Sequence, residues 1–235
     1  MELKQEIIEY WTSRAKDFSN LHQRELEDIK SGRWLAEISP YLQNKHQKIL
    51  DIGTGSGFFA ILLSTQGYEV TGIDLCEEMI ECAINNAKTV GTDVNFMVED
   101  AENPDFEDES FDIIVTRNLT WTLPNMEKAY EKWYKILKKG GVLINLDGNY
   151  NVNKLLETPI LKKCSHSILS YEQKKKCNKI YSELEKRVRP AYDVEVLKNI
   201  GYTVCEVDEN LSDRIYKERD EFYNPVRMFK IVAKK

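Results

Sequence analysis

The segment ILDIGTGSGFFA, residues 49–60, passes from an apolar run holding one aspartate, through three glycines on alternate positions, into a second apolar run. An apolar run that stops at glycines reads as a buried strand followed by a tight turn. Phe58 to Gln66 then carries a helical pattern that closes at Gly67, a suitable helix C-cap. The unit is strand, tight turn, helix. Glycines so placed mean either unusual backbone dihedrals or a neighbour too close for a side chain. Tight packing and a ligand cradle both meet that requirement.

Working outward, YEVTGID (68–74) reads as a second strand, and Met79, Ile80, Ala83, Ile84 and Ala87 recur at helical spacing before Gly91. VNFMVED (94–100), FDIIVTR (111–117) and VLINLD (142–147) read as three further strands. Met126, Ala129, Tyr130, Trp133 and Leu137 predict a helix ending at Gly140-Gly141. Residues 149–189 interrupt this rhythm. Asp193 is then the expected N-cap of a helix reaching Gly201, and YTVCEV (202–207) and VRMFKIVA (226–233) are expected as two final strands. Strands alternating with helices specify an α/β, doubly wound, parallel sheet covered on both faces. Ligands of such sheets bind at the carboxyl ends of the strands. Asp51, Asp74, Asp100 and Asn118 each stand at or just past such an end, so one crevice should gather all four.

Composition narrows the partners. A chain of 235 residues with 42% hydrophobic and 31% charged residues is most simply one folded domain. Lys and Arg total 33 against 39 Asp and Glu, a formal net charge of −6, which disfavours a binder of phosphate backbones, so no nucleic-acid partner is expected. The start, MELKQEIIEYW, is too charged for a secretory signal, and the longest apolar run, FFAILL, is too short to span a bilayer. A cytoplasmic protein with no membrane partner is the expectation. The 5 cysteines are scattered without a C-x-x-C pair, which suggests neither a disulfide framework nor a zinc site. His22, His46 and His166 are isolated; no metal set is evident, and His166 is the candidate base.

Two motif readings compete for the glycines. GSGFFA (55–60) satisfies G-x-G-x-x-G/A, with Asp74 near the distance of a ribose-binding acid, which would suit a dinucleotide. DIGTGSG (51–57) instead places Asp51 where a pyrophosphate would be repelled and an ammonium group attracted.

LDIGTGSGFFAILL, VTGIDLCEEMIECA, EDAENPDFEDESFDIIVTRNLTWTLPN and WYKILKKGGVLI together resemble, in order and spacing, the five motifs of the class I S-adenosylmethionine-dependent methyltransferases, in their small-molecule (methyltransferase type 11-like) branch. Lys139 and Met126 stand where that family often has proline, which alters turn stiffness rather than chemistry. The resemblance implies a Rossmann-like, mostly parallel seven-stranded sheet with an antiparallel edge strand; the insertion, with Cys177, Ile180, Tyr181, Leu184 and Val188 on one helical face, is the candidate helical lid. The resemblance divides the chain into an N-terminal helical cap (1–45), a cofactor-binding core (46–148), a lid insertion (149–189) and a C-terminal helix with edge strands (190–235).

It further implies S-adenosyl-L-methionine as methyl donor, S-adenosyl-L-homocysteine as product, and in-line transfer to a small-molecule acceptor; because no ligand cluster is visible in the sequence, that transfer is expected to be metal-independent. The residues it places around the donor are Arg14, Asp51, Gly53, Thr54, Gly55, Gly57, Asp74, Leu75, Met79, Asp100, Ala101 and Asn118. In this pattern Asp74 takes the ribose hydroxyls, Asp100 and the Ala101 backbone meet the adenine edge, and Leu75 and Met79 flank its faces. Arg14 would pair with the methionine carboxylate, a match of fork to carboxylate. No catalytic residue is singled out; acceptor-pocket candidates are Tyr10, Trp11, Asn118, Trp121, Asn149, Tyr150 and His166. An NAD(P)-dependent oxidoreductase and a non-catalytic S-adenosylmethionine-binding protein are the alternatives. The motifs specify neither the acceptor atom nor the oligomeric state.

Overall fold

The computed structural model describes residues 2–150 and 187–235. Strand side chains alternate between faces, and that alternation decides the layers. In β4 (Phe111–Arg117), Ile113 and Val115 point to one face and Ile114 to the other. In β1 (Lys48–Ile52), Ile49 joins the first face while Leu50 and Ile52 join the second. Strands buried on both faces need apolar residues at every position, which is why these segments are continuous apolar runs rather than alternating ones.

With β2 (Glu69–Asp74), β3 (Asn95–Val98), β5 (Leu137–Gly148), β6 (Thr203–Asp208) and β7 (Met228–Lys234), the sheet runs β3-β2-β1-β4-β5-β7-β6. The first five are mutually parallel, and β7 is antiparallel to both β5 and β6. The reversed strand therefore lies one place in from the edge. From β1 the chain winds outward to β2 and β3, then crosses back to β4 on the other side of β1. The carboxyl ends of β1 and β4 thus form the topological switch point where such sheets open a crevice.

Helices α1 (Glu2–Glu27), α2 (Ile29–Ile38), α3 (Phe58–Thr65), α4 (Glu77–Val90), α5 (Met126–Ile136), α6 (Ala191–Ile200) and α7 (Leu211–Ile215) surround the sheet. Trp34 and Ile38 of α2, the buried run Phe58 to Leu63 of α3, and Leu211 and Ile215 of α7 cover the first face. Met126, Ala129, Tyr130 and Trp133 of α5 and Leu197 of α6 cover the second. Each aliphatic side chain so buried contributes roughly 1.5–3 kcal/mol. Asn125 starts α5 by accepting from the Lys128 amide at 3.0 Å, and Asp28 starts α2 by accepting from the Lys30 amide at 2.9 Å. Both satisfy donors that a helix N-terminus leaves open.

Three local expectations are corrected. Helix α5 stops at Ile136 and β5 begins at once, because buried Leu137 pairs with Phe111 ahead of a register shift, so Gly140 and Gly141 lie inside the strand. Asp193 does not cap α6: Pro190 holds that position, and Asp193, fully buried in the first turn, accepts from the Arg189 guanidinium and the Tyr130 hydroxyl. A carboxylate four residues after an arginine is drawn inward by the ion pair. The third strand ends at Val98, leaving Asp100 in a turn, where it accepts from the Glu102 amide. Most of the lid expected at 149–189, from residue 151 to 186, lies outside the described residues. Among the described residues, no helix is long and apolar enough to cross a membrane.

Candidate active site

At the switch point the chain leaves β1 and turns into α3. Asp51 is buried, and its Oδ2 accepts from the Thr54 hydroxyl at 2.6 Å and from the Ala60 amide at 3.1 Å. One carboxylate therefore fastens both ends of the glycine turn. Burial pushes the Asp51 carboxyl up to about 6, against the opposing pull of those two donors. At the end of β2, Asp74 accepts from the Gly55 amide at 2.9 Å and the Cys76 amide at 3.0 Å. Burial raises the Asp74 carboxyl, and these backbone donors oppose the rise.

These groups line a cavity with Gly53, Thr54, Gly55, Leu75, Met79, Asp100, Ala101 and Asn118, so all four strand ends converge there as the spacing predicts. Ile7, Ile8 and Lys4 of α1 also line it. The Lys4 ammonium reaches both Asp100 and Glu102 at 2.7 Å, clasping α1 to the turn after β3.

The glycines divide by role. Gly55, at φ +55°, lines the cavity, and a Cβ there would meet only Phe18 at 3.6 Å. Gly57, at φ +89°, lies outside the cavity wall, and a Cβ there would press on Phe96 at 3.0 Å and on Ala83 and Ile61 at 3.1 Å. Its absent side chain serves the packing of α3 against α4 and β3, not a ligand.

A second cavity adjoins the first and shares Trp11, Phe18, His22, Arg117 and Asn118 with it. Five expected acceptor-pocket residues line it: Tyr10, Trp11, Asn118, Trp121 and Tyr150. Tyr150 stacks on Trp121 with centroids 4.6 Å apart, donates to Asn118 Oδ1 at 2.7 Å, and accepts from Asn224 at 2.9 Å. Asn118, at φ +56°, takes a left-handed conformation that asparagine tolerates better than most residues. Arg14 lines this second cavity and not the first, with Nη1 donating to the Tyr10 hydroxyl at 3.2 Å. Asn149 is exposed and lines neither cavity; it sits past the end of β5, facing solvent. His166 lies outside the described residues.

The junction of the two cavities holds a polar group that no motif marked. Arg117, the last residue of β4, donates to both oxygens of Glu25 at 3.2 and 3.1 Å, and from Nη2 to His22 Nε2 at 2.7 Å. Its guanidinium lies over Phe58 at 4.3 Å and Trp34 at 4.9 Å. Because arginine only donates, His22 Nε2 accepts. Nδ1 then carries the proton and donates to the Ser56 hydroxyl at 2.9 Å. Burial, reinforced by the Arg117 charge, holds the His22 pKa well below the usual histidine range. A signal existed in the sequence: Trp11, Phe18 and His22 recur at helical spacing on one face of α1, and Arg117 immediately precedes Asn118. Among the described residues, no three His, Cys, Asp or Glu side chains gather as a metal set.

Residues 50–145 match a family described as a methyltransferase domain. A ubiquinone biosynthesis O-methyltransferase of Coxiella burnetii is 31% identical over 117 residues, 50% of this chain and 49% of that protein. The chain thus spans about half the length of that relative. The protein of the same name from Rickettsia bellii is 26% identical over 222 residues, 91% of this chain and 89% of that one. A TehB-like SAM-dependent methyltransferase of Corynebacterium glutamicum shares the fold with a TM-score of 0.62 at 18% identity, covering 95% of this chain and 98% of that one. Over residues 50–145 the chain is similar to the methyltransferase domain family, and these comparisons support a class I S-adenosylmethionine-dependent methyltransferase.

Proposed function

We propose that this chain transfers a methyl group from S-adenosylmethionine to a small-molecule acceptor. The observation that carries the reading is the pair of joined cavities at the switch point, one holding the acid at the end of β2 and the other walled by aromatic rings. The first cavity fits the donor. A carboxylate offers about four lone-pair sites, and Asp74, which takes the Gly55 and Cys76 amides with the Leu75 amide beside them, keeps capacity for a ribose hydroxyl. Leu75, Met79, Ile7 and Ile8 provide apolar surface for a flat base. A pyrophosphate would face Asp51 and Asp74 without a compensating cation on the glycine turn.

The bound donor supplies a methyl group already activated on a sulfonium. The protein's task is then to align the acceptor and exclude water. Trp11, Phe18 and Asn118 line both cavities, so in this reading α1, part of the proposed N-terminal cap (1–45), would cover the route of the methyl group. Transfer by this route needs no metal, so EDTA should leave turnover unchanged. Calorimetry with S-adenosylmethionine, S-adenosylhomocysteine, NAD and NADP tests the reading. Binding of the first two supports it; binding of a nicotinamide cofactor alone would overturn it.

A further inference from the structure

The junction is the place where a methyl group would pass, and its hydrogen-bonding capacity is unevenly spent. Arg117 has five N–H donors; three go to Glu25 and His22. Its Nε hydrogen and one Nη1 hydrogen have no partner among the described residues. Both His22 nitrogens are engaged, one by Ser56 and one by Arg117. Both oxygens of Glu25 are committed to Arg117, and one also accepts from the Trp34 indole at 2.9 Å. Burial pushes the Tyr150 and Tyr216 hydroxyls up, keeping them neutral. Among its described lining residues, then, the second cavity presents a guanidinium with donors to spare and no side chain poised to take a proton.

On the methyl-transfer reading above, we infer that the acceptor is a small flat organic acid or acidic phenol, whose oxygen arrives ionised and is held as an anion by the Arg117 guanidinium. An acceptor that must lose a proton during transfer would need a base that none of the described residues lining the second cavity supplies. An amine fares worse, because its methylated product carries a positive charge beside Arg117. For an oxyanion the balance closes without a proton. An oxygen lone pair forms the new oxygen–carbon bond, the carbon–sulfur bond breaks with its electrons passing to sulfur, and the anion and sulfonium charges cancel. Flatness follows from the walls: Trp11, Phe18 and the Trp121–Tyr150 stack offer ring faces that pair with another ring.

The test uses the protein saturated with S-adenosylhomocysteine, titrated calorimetrically with benzoate, benzamide and benzylamine. Benzoate should bind roughly 10- to 100-fold more tightly than benzamide, the scale of charge-assisted hydrogen bonds, and benzylamine most weakly. Arg117→Gln should abolish the preference, and Arg117→Lys should retain part of it, since lysine keeps the charge but not the fork. Because Arg117→Gln leaves Glu25 buried without its partner and could unfold, a second measurement uses the wild type. Bound 4-nitrophenol, followed by the visible absorbance of its phenolate, should ionise at lower pH than free 4-nitrophenol. Benzamide or benzylamine binding as tightly as benzoate would overturn the inference alone. So would a loss of S-adenosylhomocysteine affinity in Arg117→Lys, which would place the guanidinium on the donor's carboxylate. Failure of the wild type to bind S-adenosylhomocysteine would remove the methyl-transfer reading itself.

Discussion

Two glycines of one turn should respond to alanine in opposite ways. At Gly57 the backbone sits at φ +89°, and the new Cβ would lie 3.0 Å from Phe96 Cζ and 3.1 Å from Ala83 Cβ and Ile61 Cδ1. The left-handed conformation costs an L-residue about 1–2 kcal/mol. Overpacking against buried Ala83 and Ile61 and half-buried Phe96 adds about 1–3 kcal/mol, so Gly57→Ala should lose about 2–5 kcal/mol of stability. At Gly55 the conformational cost is similar, at φ +55°, but the nearest atom to a new Cβ is Phe18 Cε1 at 3.6 Å, an ordinary contact. Gly55→Ala should therefore lose only about 1–2 kcal/mol of stability. Its methyl group, however, stands in the cavity wall beside the amide that Asp74 holds, so S-adenosylhomocysteine affinity should fall. Urea denaturation gives the stabilities from linear extrapolation, and calorimetry on the folded proteins gives the affinities. The division of roles is refuted if Gly57→Ala is as stable as the wild type, or if it weakens ligand binding while Gly55→Ala does not.

Other sites give separable outcomes. Asp74→Ala should weaken S-adenosylhomocysteine binding by roughly 1.5–3 kcal/mol, the scale of hydrogen bonds to a charged group; unchanged affinity in a folded variant would remove Asp74 from the ribose. Arg189→Met strands Asp147 and Asp193, both fully buried and both paired with Arg189. A loss of about 3–5 kcal/mol is expected, and a urea midpoint within error of the wild type would contradict it. His22 is held neutral in the fold, so the unfolded chain binds its proton first. This residue's contribution is complete above about pH 6.5 and is lost as pH falls below it. Asp51, raised to about 6, acts in the opposite sense between its unfolded value and about 6, but it does so in wild type and variant alike. Stability of the wild type should accordingly fall more steeply than that of His22→Gln between about pH 6.5 and 5; parallel curves would exclude the neutral, Arg117-bound histidine.

The sequence by itself determined the sheet and the place of its crevice. Periodicity is a local property: ILDI, YEVTGID and FDIIVTR each declare a strand through their own side chains, and Gly67 and Gly91 each close a helix within one turn. The carboxylates Asp51, Asp74 and Asp100 were legible because a strand's end is a linear position, and parallel pairing brings such ends together. What the linear pattern left undecided were questions of neighbours. Gly55 and Gly57 look alike in the motif, and only the approach of Phe96, Ala83 and Ile61 separates the packing glycine from the ligand-facing one. Asp193 has the residue type of a cap, yet the desolvated Arg189 and Tyr130 beside it turn it inward. Arg117 meets His22 and Glu25 across more than ninety positions of chain. That meeting exists because α1 packs on α4, α2 and α3 and so brings His22 and Glu25 to the end of β4, and the placement of a helix is set by the packing of all the surfaces it meets, which no single stretch of sequence contains.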